Sequence, residues 1–311
     1  MKSRLLIVVI VFSIGLFSCD SDKYQSESTQ AAWHKKDDIG QEITLSHAPR
    51  RVMSFSPAFT EILFAICADS QIVAISPVCN YPEAVKNKPI VSNYPVDQEG
   101  VLNVKPDLVF TEVGITPVDV AEQLKSLGIP VYFQNYASVT DLLNKIDTIG
   151  HWLGQASRSR KLTDSLKLEL HKFENEPPRK DTAKVLVITW HQPIFVHGKN
   201  TLMNDKIRLA GGKNAVDQVF DKVYPELTRE YILHADPDVL FGGTFSHMDS
   251  TFFHLYPELK RVKAYKNKHI YALTDDLATR PSPRVIEAVW EIKKHLDVYY
   301  YQTKLTKANG K

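Results

Sequence analysis

Five short stretches carry the side chains best suited to hold a ligand: Ser56-Pro57-Ala58-Phe59, Pro77 to Tyr81, Trp190-His191-Gln192-Pro193, Gly242-Gly243-Thr244-Phe245 and Asp275 to Pro281. They are rich in proline and aromatic residues rather than in paired acids and bases. Aromatic rings stack on flat apolar ligands while hydroxyls and amides bond a polar fringe, so this composition points to capture rather than to chemistry on the ligand. The sequence has no Gly-rich nucleotide loop, no Gly-x-Ser-x-Gly elbow and no His-Glu-x-x-His zinc helix. Asp97, Glu99 and Glu112 fall near one predicted rim, but scattered carboxylates do not make a general acid–base pair. We therefore assign no catalytic residue, no metal site and no cofactor.

Direct ion binding is the rival reading. It needs three or four His, Asp or Glu ligands converging on one point. His191, His197, His234, His247 and His254 are available, yet His247 and His254 lie seven apart on a predicted helix. His191, beside Trp190 at a strand end, is the one placed to reach the axial position of a chelated metal.

These loops need a scaffold, and the apolar pattern supplies one. Arg51 to Phe55, Ile72 to Ile75, Pro106 to Phe110 and Pro130 to Phe133 read as strands, alternating with helices from Ala58 and over Val118 to Leu127. After residue 183 the pattern restarts, with strands at Val185 to Thr189, Pro237 to Phe241 and His269 to Leu273. A last helix runs from Arg284 to about Tyr300. Alternating strands and helices predict α/β units with mostly parallel sheets. Pro106-Asp-Leu-Val-Phe110 is echoed by Pro237-Asp-Val-Leu-Phe241, which favours two similar lobes over one sheet.

Between them, residues 138–175 repeat apolar residues at helical steps from Val139 to Phe173. The fold expected is α/β, two Rossmann-like α/β lobes joined by one long backbone helix of about 50 Å. The N-terminal lobe covers residues 49–137 and the C-terminal lobe, with its closing helix, residues 183–311. Ligands of open α/β sheets bind outside the carboxyl ends of the strands, here in the cleft between lobes.

The 38 basic and 36 acidic residues leave a net charge of +2, too little for a field that would hold nucleic acid. Lys2 and Arg4 precede an apolar run from Leu5 to Phe17, the order of an export signal. Leu16-Phe17-Ser18-Cys19 resembles a bacterial lipoprotein signal, which implies cleavage after residue 18 and lipidation of Cys19. Residues 20–48 then form a polar tether followed by a hairpin near Asp37-Asp38-Ile39-Gly40. Export makes a Cys67–Cys79 disulfide permissible; equally, each could be a small buried side chain.

Six segments in order carry a wider resemblance: Arg51 to Glu61 (RVMSFSPAFTE), Cys79 to Glu83 (CNYPE), Lys105 to Phe110 (KPDLVF), His197 to Val216 (HGKNTLMNDKIRLAGGKNAV), Tyr224 to Leu240 (YPELTREYILHADPDVL) and Arg280 to Arg284 (RPSPR). With them the chain resembles substrate-binding proteins of ABC importers, in the class with a helical backbone between lobes that carries cobalamin, haem or ferric siderophores. It is most similar to the periplasmic cobalamin-binding proteins. The resemblance implies a monomer, exported and lipid-anchored on the periplasmic face of the envelope. Its partners would be a cobalamin-like or metal-chelate ligand and a membrane permease. It places ligand-binding positions at Ser56, Pro57, Ala58, Phe59, Tyr81, Tyr94, Trp190, Tyr224, Phe245 and Arg280. It places transporter-docking carboxylates at Glu83 and Glu230, with Glu226 a close rival to the second. The sequence departs from the cobalamin binders where Asn93-Tyr94, Glu112 and Leu277 replace tryptophans, which leaves other corrinoids, haem or an iron chelate open.

Overall fold

The computed structural model describes residues 33–309. The expected signal, Cys19 and most of the tether lie outside the described residues. Trp33–Lys36 (β1) and Glu42–Leu45 (β2) pair antiparallel. Asp37 ties their turn by accepting from the Ile39 and Gln41 N–H groups at 3.1 and 2.7 Å, and Asp38 N–H donates to the Phe133 carbonyl.

In the N-terminal lobe Val52–Ser54 (β3), Ile72–Ile75 (β4), Leu108–Glu112 (β5) and Val131–Gln134 (β6) form a parallel sheet in the order β4-β3-β5-β6. Its helices are Pro57–Ile66 (α1), Gln98–Val104 (α2) and Val118–Ser126 (α3). Successive strand residues face opposite sides of a sheet. Thus Val52, Leu108 and Phe110 pack with Phe59, Ile62 and Leu63 of α1, while Met53, Val109 and Phe133 pack with Val101 of α2 and Leu124 of α3.

The single spine does not form. Val139–Trp152 (α4) and Ala156–Glu174 (α5) are separate helices packed against each other as a hairpin. Gly154 takes φ +70°, a conformation a helix cannot contain. The two helices meet where Gly150 lies under Ser159: a Cβ on Gly150 would stand 2.2 Å from the Ser159 Cβ. The apolar period runs through the break because both helices bury one face, so periodicity alone could not reveal the turn. Helix α5, about 28 Å long, bridges the lobes, and α4 touches the C-terminal lobe at its start, where Val139 N–H donates to the Asp205 carboxylate at 2.8 Å. It packs on α1 at one end, where Arg158 donates to the Cys67 carbonyl at 2.7 Å. At the other, Phe173 meets Trp290 at 4.6 Å between ring centroids.

The C-terminal lobe is built from Lys184–Trp190 (β7), Phe195–Val196 (β8), Leu202–Leu209 (α6), Lys213–Asn214 (β9), Arg229–Ala235 (α7) and Val239–Phe241 (β10). Phe245–Ser250 (α8), Phe252–Leu255 (α9), Lys263–Lys266 (α10), Ile270–Tyr271 (β11), Asp275–Thr279 (α11) and Val285–Asn309 (α12) complete it. Strands β11, β10, β7 and β9 are parallel neighbours, and β8 adds antiparallel to β7.

The sequence echo has a structural cause. Helices α2 and α7 each end on a left-handed residue, Lys105 and Asp236, before the proline. The next residue then clamps the neighbouring strand in the same way twice. Asp107 N–H donates to the Arg51 carbonyl while its carboxylate accepts from Arg51 N–H at 2.9 Å. Asp238 does the same with Lys184, also at 2.9 Å. The repeated Pro-Asp sets strand register in each lobe.

Candidate functional site

The carboxyl ends of β7, β10 and β11 open on a cavity of about 420 Å³. Val187, Ile188, Met203, Phe241 and Leu273 give it an apolar floor; Thr189, His197, Tyr224, Asp275 and Thr279 supply polar edges. This is the lining expected of a small-molecule site. A second cavity, of about 430 Å³, lies by Lys184 and Lys213 at the opening residues of β7 and β9, away from these strand ends.

Charged groups gather where the lobes meet. Glu61 of α1 is buried and receives Arg284 through two bonds, Nε to Oε2 at 2.8 Å and Nη2 to Oε1 at 2.6 Å. Arg280 adds a third at 3.0 Å and also donates to Asn80 at 2.7 Å, with Asp276 on its other nitrogen at 2.7 Å. The Tyr81 ring lies 4.1 Å from the Arg284 guanidinium, a cation–π contact.

Deeper in the cleft, Ser56 caps α1 by accepting from the Phe59 N–H and donates its hydroxyl to Oε2 of Glu112, at the end of β5. Burial pushes the Glu112 carboxyl up to about 7 against the opposing pull of Ser56, Lys206 and Arg280. Lys206 of α6 is buried and donates to the Ala278 carbonyl at 2.7 Å; burial brings its ammonium down to about 7, with Glu112 opposing. His197 is held neutral, its imidazolium disfavoured down to about 3 by burial and then by the Lys206 charge. The Tyr224 ring packs edge-on to it at 5.1 Å, and Nε2 of His197 has no partner among the described residues.

The structure sorts the expected ligand positions into three groups. Tyr224 lines the cavity, Trp190 is exposed as the last residue of β7, and Tyr81 and Tyr94 are exposed on the segment between β4 and α2. Ser56 is fully buried and bonded to Glu112, and Arg280 is engaged with Glu61. Phe59 is a correction: it is fully buried and stacked on Phe110 at 5.1 Å, because Ser56 starts α1 at Pro57 and turns Phe59 into the core. Ala58 is buried beside it, and only Pro57 of that pair is partly open. Phe245 packs on Tyr265 at 5.4 Å and is not on the cavity wall.

His247 and His254 fall on α8 and α9, separated at Thr251, rather than on one helix. Among the described residues no three His, Cys, Asp or Glu side chains converge on a metal position. Cys67 and Cys79 are both free; the Cys79 thiol contacts the Thr60 and Ser76 hydroxyls.

A family model described as periplasmic binding protein matches residues 52–277. The chain belongs to that family. A vitamin B12-binding protein of Vibrio parahaemolyticus is 26% identical over 258 residues, covering 82% of this chain and 92% of the relative. An uncharacterized ABC transporter substrate-binding lipoprotein of Bacillus subtilis is 28% identical over 301 residues, 94% of each chain. Among solved structures, a possible iron-binding (periplasmic solute-binding) protein from Staphylococcus epidermidis has a TM-score of 0.70 at 25% identity. It covers 80% of this chain and 99% of that one.

In this periplasmic binding protein, Glu83 and Glu230 are exposed, one on each lobe. Glu83 follows the carboxyl end of β4 and, among the described residues, pairs with Lys86 at 2.6 Å. Glu230 sits in the first turn of α7, where its own backbone N–H and the Thr228 hydroxyl favour the carboxylate and lower its pKa. Helix α7 descends toward the start of β10, so its first turn lies at the strand-end side of the lobe. No helix among the described residues is long and apolar enough to cross a membrane.

Proposed function

We propose that this protein is the lipid-anchored substrate-binding component of an ABC importer, capturing cobalamin or a related corrinoid in the interlobe cleft for delivery to a membrane permease. The observation that carries the reading is the cleft wall. An apolar cavity at the strand ends of one lobe is edged by Tyr224, with Trp190 exposed at the end of β7 on the same lobe and Tyr94 and Tyr81 exposed on the other. Such a surface suits the face of a flat macrocycle, and rings exposed on loops gain most from covering it. Similarity to vitamin B12-binding proteins over most of the chain supports the same cargo class. Glu83 and Glu230, one per lobe, would meet basic groups of the permease and fix its orientation. Cys19 would carry the acyl anchor.

The protein without residues before Asp20, titrated with cyanocobalamin, haemin and a ferric siderophore by absorbance and calorimetry, should bind the corrinoid with submicromolar Kd. Binding of none of the three removes the proposal. A ferric chelate is the second reading, favoured by the likeness to the possible iron-binding protein; preference for haemin or the siderophore in the same titration would establish it.

A further inference from the structure

Hydrogen-bonding capacity at the head of the cleft is unevenly spent. Oε2 of Glu112 is occupied by the Ser56 hydroxyl. Oε1 accepts from no described residue and is not sealed from solvent, so Glu112 offers a fixed, open acceptor. Each nearby cation is already committed. Lys206 is spent on the Ala278 and Arg280 carbonyls at 2.7 and 3.4 Å. The Arg280 guanidinium is held by Glu61, Asn80 and Asp276, and Arg284 by Glu61. Among the described residues, this end of the cleft presents an unused acceptor, arginines paired with carboxylates, and a lysine bonded to carbonyls rather than to a carboxylate.

We infer that Glu112 selects the cargo by its fringe, taking a ligand whose side arms offer N–H donors, as carboxamides do, over one whose arms are carboxylates. An amide N–H completes the Glu112 acceptor. A carboxylate arm there brings a second negative charge to a site whose two arginines are neutralised by Glu61 and Asp276 together, and like charges at close range in a partly desolvated site repel strongly. The inference rests on the corrinoid reading only for its first probe, since the preference applies to any macrocycle with acid or amide arms. The groups facing Glu112 are Ser56 and Glu61 of α1, Lys206 of α6 and Arg280 ahead of α12, with Tyr136 and Tyr224 within electrostatic reach. Because the carboxyl titrates near 7, discrimination against acid arms should weaken as the pH falls and Glu112 takes up a proton.

The test is the ratio of Kd values for cyanocobalamin and its monocarboxylic acid, in which one propionamide is hydrolysed. Near pH 8.5 the wild type should favour the amide by about tenfold or more, the scale on which an unmatched buried polar group discriminates. Glu112→Gln, which keeps an acceptor but removes the charge, should bring the ratio within about twofold. In the wild type the ratio should shrink between about pH 8.5 and pH 5.5, and by more than in Glu112→Gln, where Lys206, brought down to about 7, still gains its charge. A wild-type ratio near one, or a ratio that neither Glu112→Gln nor pH alters, overturns the inference while leaving corrinoid binding in place. Should the protein bind haemin and no corrinoid, the cargo reading fails alone, and haemin against its bis-amide must then show the same amide preference. Binding of neither pair defeats both.

Discussion

Glu61 and Arg284, 223 positions apart, form a two-toothed ion pair across the lobe boundary with bonds of 2.8 and 2.6 Å. Glu61 is on α1 and Arg284 leads into α12, and α5 packs on both of these helices as well as on α4. The pair therefore ties the lobes beside the helix that joins them. Removing Glu61 would leave two arginines facing a buried gap, and uncompensated charge at such sites costs about 3–5 kcal/mol. Urea unfolding of Glu61→Ala should show a loss of about that size. A loss under about 1 kcal/mol would mean that solvent already screens the pair.

Glu112 and Lys206 impose opposite pH dependences. The Glu112 carboxyl rises from 4.5 to about 7 on folding, so its contribution is most favourable below pH 4.5 and declines as pH climbs to about 7. The Lys206 ammonium drops from 10.5 to about 7, so its contribution is full above 10.5 and declines as pH falls to about 7. Together they put a shallow minimum near neutrality into the unfolding free energy. Glu112→Gln should flatten the acid limb and Lys206→Met the alkaline limb, each by about 1–3 kcal/mol. Urea midpoints taken across that range report both slopes; identical curves for all three proteins would contradict the assignment.

Gly150 is where the helical hairpin closes. A methyl group there would overlap the Ser159 side chain, so Gly150→Ala should destabilise by about 1–3 kcal/mol, although alanine favours the helix. Ser159→Gly vacates the space but weakens α5 by about 1 kcal/mol and removes a bond to the Asp147 carboxylate. The double variant should be more stable than the sum of the two single losses. Strict additivity in the thermal midpoints would show that the helices do not touch there.

Sequence and structure part company at contacts that spacing cannot encode. Apolar runs such as Val185 to Thr189 and Pro237 to Phe241 name their own strands, because a buried parallel strand has few other compositions. The Pro-Asp echo was readable, though its role in clamping Arg51 and Lys184 emerges only when the strands are paired. Arg280 reads as a ligand contact until Glu61, far away in sequence, proves to occupy it. Phe59 reads as a loop ring until the Ser56 cap shows that the helix has already begun. Helix α2 went unread because Asp97, Glu99 and Gly100 mask a seven-residue helix whose one buried side chain is Val101.

The docking proposal separates most cleanly from the ligand site. Glu83 is exposed and shares its charge only with Lys86, while Glu230 stands exposed on the first turn of α7. Neither lines the cavity, so truncating them should leave cargo binding untouched. Loss of two charge-assisted contacts to a permease should weaken association by about 2 kcal/mol or more and make the remainder less sensitive to salt. Uptake into vesicles carrying the permease should therefore fall at least about tenfold in Glu83→Ala/Glu230→Ala, with the cargo Kd unchanged by calorimetry. If Kd rises as uptake falls, the carboxylates act on the cleft and not on the transporter; if Glu226→Ala reproduces the Glu230→Ala defect, the contact on the second lobe belongs to its neighbour.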